Sequence, residues 1–101
     1  MSITLNVSSA AAPTQVGVDT SSAEAVAENY NRAGLLLTNL SSGTIYIAFG
    51  TNAAVVGSGA VVGADGGSFS MDDFSFTKEA VNAIAHSNNS LLAIQEFVVR
   101  S

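Results

Sequence analysis

Cysteine is absent from the 101-residue chain, so neither a disulfide nor a thiolate metal site can brace it. Tryptophan is absent as well, and histidine and proline occur once each. A single histidine excludes a multi-histidine metal site within one chain. Positive charge is nearly missing: Arg32, Lys78 and Arg100 stand against eight acidic residues, for a net charge of −5. Nucleic-acid binding rests on neutralising phosphates with Lys and Arg, and three cations cannot line a basic stripe. A polybasic membrane anchor is excluded on the same ground. No apolar run approaches the ~18 residues that cross a bilayer. Met1 to Val7 has neither the basic start nor the apolar stretch of a signal peptide. The chain is therefore expected to remain in the cytoplasm where it is made, or to be assembled into a particle there.

Charge of either sign is scarce, at 11% of residues against about 25% in ordinary soluble domains. A monomer of this composition would expose a weakly solvated surface of Ala, Ser, Thr, Asn and Gly. Burial of part of that surface against other chains accounts for it better, so a homo-oligomer is expected. The length suits one domain over residues 1–101, with roughly two-thirds of the unfolded surface hidden on folding.

What is present is strand-forming. Ile3, Leu5 and Val7 alternate with Ser2, Thr4 and Asn6, the period-two mark of a half-buried strand. Residues 8–15 are small and polar around Pro13, and residues 1–15 are read as an extended arm or edge strand. A weak strand follows from Gln15 to Val18. Residues 21–30 admit a short helix, because Ser21 and Glu24 have capping-box spacing ahead of Ala25, Val26 and Ala27. About two turns is short for a helix without packing support.

From Gly34 the strand signal strengthens. Leu35 to Asn39 is an apolar run, Leu40 to Gly43 a turn, and Ile45, Ile47 and Phe49 alternate with Tyr46 and Ala48. Two strands joined by so short a loop predict an antiparallel hairpin. Residues 57–67 hold five glycines around Val61 and Val62, and Gly66-Gly67 turns into Ser68 to Met71. Ala80 to Ala85 and Leu91 to Val99 predict a second hairpin closed by His86 to Ser90. The sum is an all-β chain, an antiparallel β-sandwich or jelly-roll-like barrel of about six to eight short strands.

No catalytic motif emerges. Gly57-x-Gly59-x-x-x-Gly63 lacks dinucleotide-loop spacing and the GK[ST] ending, so turns and bulges explain it better. Asp65, Asp72 and Asp73 lack the EF-hand pattern and read as solvated loop carboxylates. His86 has no nucleophile elbow to serve and reads as a turn or interface residue. Asn6, Asn39 and Asn88 each begin an N-x-S triplet, taken as chance matches that carry no glycan. No enzyme, cofactor or metal is expected. Arg32 is the only cation among the first 77 residues. Two readings stand for it: a clamp on carbonyls or a carboxylate at a loop junction or subunit interface, or an ordinary exposed arginine.

The segment Asn31 to Gly50 resembles a recurrent pattern in small virion proteins of tailed bacteriophages. The pattern is an Asn-x-Arg entry, an aliphatic strand ending in Asn, a short Ser/Gly turn, then an aromatic-aliphatic strand ending in Gly. Gly66 to Met71, Thr77 to Ala85 and Leu92 to Glu96 are similar to later parts of it, so the likeness covers roughly residues 31–97. The resemblance implies a β-sandwich or jelly-roll-like fold, often trimeric, and a structural role on the particle. The leading expectation is a capsid decoration (cement) protein, bound to the major capsid protein on the outside of the virion. Alternatives are a head-fibre, head–tail adaptor or receptor-binding module, and, outside virions, a carbohydrate-binding β-sandwich. Candidate contact residues are Ile3 and Leu5 in the arm, Arg32, and the apolar faces around Tyr46 and Phe97.

Overall fold

A computed structural model describes residues 8–71 and 76–99. Ile3, Leu5, Asp72 and Asp73 lie outside the described residues. Nine strands are described: β1 (Ser8–Ala10), β2 (Thr14–Val18), β3 (Ala23–Val26), β4 (Arg32–Asn39), β5 (Ile45–Phe49), β6 (Ala60–Val62), β7 (Ser68–Ser70), β8 (Val81–Ala85) and β9 (Ser90–Val99). The chain is all-β, as its alternation and turn chemistry require.

The strands make two antiparallel sheets. In the first, β9 pairs with β4 on one side and with β1 and β2 on the other, and β7 pairs with β4. β1 and β2 are one edge strand interrupted at Pro13, a residue with no N–H to give a ladder. The second sheet has the order β3-β8-β5-β6. With β1 and β2 counted together, each sheet has four strands. Only β5 and β6 are both consecutive and paired across a loop within one sheet; every other link from β2 onward crosses from sheet to sheet. That winding is a jelly roll.

Three expectations are corrected here. β4 and β5 are not a hairpin, and neither are β8 and β9: each pair is split between the two sheets. Alternation marks a strand with one buried face, but it does not say whether the neighbour sits beside it or across the core. Packing β4 over β5 buries both apolar stripes at once. Residues 21–30 hold no helix; Ala23–Val26 is a strand along the free edge of β8. Docking there buries Val26 in the core, more than two unsupported helical turns would gain. Residues 8–10 and 14–15 are edge strand on β9, the second of the two readings given for residues 1–15.

The core lies between the sheets and is almost wholly aliphatic. Leu35 and Leu37 of β4, Ile45 and Ile47 of β5, Val81, Ala83 and Ala85 of β8, and Leu92 and Ile94 of β9 meet there. Phe49 and Phe69 pack beside them with ring centroids 5.8 Å apart. The β5–β6 loop needs glycine at Gly59, where φ is +79° and a Cβ would collide with the Ile47 carbonyl oxygen.

Candidate interaction surfaces

β4 begins and ends on a buried polar side chain. Arg32 has a relative exposure of 0%. By simple alternation it shares the face of Gly34 and Leu36, which looks outward. A β-bulge between Arg32 and Gly34 adds one residue against β9, and that single residue turns Arg32 inward, opposite Val98. Its Nε donates to Glu96 Oε2 at 2.7 Å, Nη1 to the carbonyls of Thr77 (3.0 Å) and Glu79 (2.8 Å), and Nη2 to that of Ala27 (2.9 Å). One guanidinium thus joins the β3–β4 loop, the β7–β8 loop and strand β9. The clamp reading of Arg32 holds, with every one of these partners inside the chain. With no exposed surface, the side chain does not contribute to an outer face.

Asn39 closes the opposite end and is equally buried. Its Nδ2 donates to the carbonyls of Gly43 (2.8 Å) and Val62 (3.0 Å), while Oδ1 accepts from Ser41 N (2.8 Å). The last bond is an Asx turn. Its backbone adds Asn39 N to Gly67 O and Gly66 N to Asn39 O, both 2.8 Å. This amide also begins one of the N-x-S triplets; no sugar could reach it in the folded chain. Among the described residues no buried side-chain polar atom lacks a partner.

Tyr46 and Phe97 stand on opposite outer faces of the sandwich, so they cannot belong to one contact patch. Tyr46 lies in a cross-strand row with Ile84 of β8 and Val61 of β6, the last 54% exposed. Its hydroxyl shares a hydrogen bond with His86 Nε2 at 3.1 Å, the rings meeting edge to face at 5.4 Å. Glu24 stands at the rim of this face, on the edge strand opposite Asn82. Asn82 Nδ2 donates to the Asn52 carbonyl at 2.6 Å and holds the β5–β6 loop. Tyr30, in the β3–β4 loop, is 75% exposed. The neighbouring Glu28 carboxylate holds its phenol above the ordinary value, chiefly by hydrogen bonding and secondly by its charge.

Phe97 lies over Gly34 on the neighbouring strand, where a Cβ would come within 3.5 Å of the ring. Its face is formed by Gly34, Leu36 and Thr38 of β4, by Leu91, Ala93, Gln95, Phe97 and Val99 of β9, by Gln15 and Gly17 of β2, and by Ser68 and Ser70 of β7. Among the described residues this face carries no charged side chain. A shallow depression of about 120 Å³ crosses it between Pro13, Thr14, Leu36, Thr38, Ala93, Ile94 and Gln95. Its lining holds no titratable group.

Asp65 is a turn residue with φ of +56°, its N–H bonded to the Ser41 carbonyl. Among the described residues no group of three or more His, Cys, Asp or Glu side chains could share a metal ion. No helix of the described residues is long and apolar enough to cross a membrane.

Two residues escaped the reading of the sequence. Glu96 is in phase with Leu92 and Ile94, an acid at a core position, and that phase was a legible sign of a buried partner. Asn39 was visible only as the last residue of a strand. No protein-family model, curated protein or solved structure matches the chain.

Proposed function

We propose that this chain is a structural protein of a bacteriophage particle. It binds the outer surface of the capsid as a homo-oligomer and stabilises the contacts between major capsid protein subunits. The observation that carries the reading is the outer face around Phe97, which among the described residues is free of charge on a chain of net charge −5. Such a face suits burial against protein. The jelly-roll winding and the likeness of residues 31–97 to small virion proteins support the same reading; the first is an analogy of fold alone.

The physics of the role asks for little chemistry. Packed DNA presses a shell outward and pulls its subunits apart. A protein bound across their junction adds its binding free energy to the assembled state by mass action. Repetition around the symmetry axes of a shell multiplies weak contacts by avidity. The implied partners are the capsid protein and further copies of this chain. The proposal includes no enzymatic step and no cofactor.

Copy number tests it. Quantitative mass spectrometry of purified particles should count several hundred copies per particle. A dozen or fewer would point to a fibre, adaptor or receptor-binding part and contradict decoration.

A further inference from the structure

We infer that the neutral face around Leu36 and Phe97 is where a second copy of this chain packs. Charge selects the occupant. Two bodies of −5 repel wherever acidic groups meet, and the charged groups of the described residues sit at the loop ends, in the buried Arg32 clamp and at the rim of the opposite face. Among the described residues, the neutral face is the one broad surface on which a like-charged copy can settle without desolvating a charge.

Gly17 supplies an independent observation. Glycine inside a strand weakens it and marks a bulge, a positive φ or close approach of another backbone. The register runs unbroken through Gly17, opposite Leu91, and its φ is not among the positive ones. A Cβ there would meet nothing within 4 Å. Nothing among the described residues asks for glycine at that position; a neighbouring molecule laid across the face would.

Size suits a weak self-contact. The 29 residues of β1, β2, β4, β7 and β9, at about 3.3 Å along each strand and about 4.8 Å between strands, present on the order of 450 Å² per copy. Two copies then bury about 900 Å², the size of a weak, reversible association. The depression beside Leu36 can take a side chain such as Leu91, 40% exposed on the same face, and face-to-face packing offers each copy the same knob and hole. This deepens the proposed role by naming its self-contact. It is tested in solution without a particle, so its failure would leave the copy-number test standing.

The experiment is sedimentation equilibrium of the whole chain at about 100 µM, a concentration suited to a small interface. The wild type should sediment well above 10.2 kDa. Association should tighten as salt rises from about 20 mM to about 500 mM, because screening removes only the repulsion between bodies. Leu36→Lys should return the mass to that of the monomer with an unchanged β circular-dichroism spectrum. Val61→Lys, on the opposite face, should change nothing. Gly17→Val should raise the melting midpoint of dilute protein by about 4 °C through better strand propensity, yet weaken association at least about tenfold. A monomeric wild type would overturn the inference. So would association that weakens with salt, or dissociation by Val61→Lys while Leu36→Lys associates normally.

Discussion

The two ends of β4 solve one problem with different chemistry. At its start, a charged guanidinium gathers three backbone carbonyls and the Glu96 carboxylate. At its end, a neutral amide gathers two carbonyls and one N–H. Both close an end of the sandwich, where strands stop and their loops leave backbone groups needing partners. They differ in what a missing side chain would leave behind. Without Asn39 the remainder is a few unpaired neutral groups. Without Arg32 it is a partly buried carboxylate and three inward carbonyls, all of one polarity. The charged end is therefore the more fragile, although it holds the shorter, charge-assisted bond.

The largest effect should follow Arg32→Leu, which retains volume and removes every donor. A loss of about 3–5 kcal/mol is expected, read by urea unfolding with an unchanged slope. A loss under about 1 kcal/mol would mean that the clamp is not structural. Asn39→Ala comes next, at about 2–3 kcal/mol for three groups left without partners. If it proved costlier than Arg32→Leu, the ranking of the two ends would be reversed. Glu96→Gln should cost about 1–2 kcal/mol, because the amide oxygen still accepts from Nε and the three carbonyl bonds persist. Its melting curve should sit between those of the wild type and Arg32→Leu. Ser41→Ala should be smallest, under about 1 kcal/mol: its Oγ accepts from Leu91 N at the exposed rim, where water can take over. An effect matching Asn39→Ala would show that the neutral end depends on its rim and not on the buried amide.

The same comparison explains what the residue pattern can carry. The proposed likeness to small virion proteins rests first on Asn31 to Gly50, where Arg32 and Asn39 are the polar landmarks. Both act inside the fold. They close this jelly roll at either end, and they touch no outer face. The pattern therefore speaks for an architecture, and the role must be sought on the faces around Phe97 and Tyr46.

Strand identity was legible because β4, β5, β8 and β9 each keep one apolar stripe in step with the pleat. Strand partnership was not. The loops at Leu40 to Gly43 and His86 to Asn89 are short enough for hairpins, and only packing across the core makes them corners between sheets. The inward turn of Arg32 was hidden for a related reason. One bulged residue reverses the face of all that precedes it, and nothing in the spacing announces a bulge at Ala33. Val26 and Ala25 fit a helix turn as well as a strand, and the open edge of β8 decided between them. The separation of Tyr46 from Phe97 followed from the sheet assignment and could not precede it.

Decoration of a capsid is the central claim, and a reconstruction by cryo-electron microscopy of the particle that carries this chain tests it most directly. The expected result is jelly-roll density repeated over the outer shell at the junctions between capsid subunits, with neighbouring copies meeting through the neutral face. A shell bare of that density, or density confined to the tail, would contradict it.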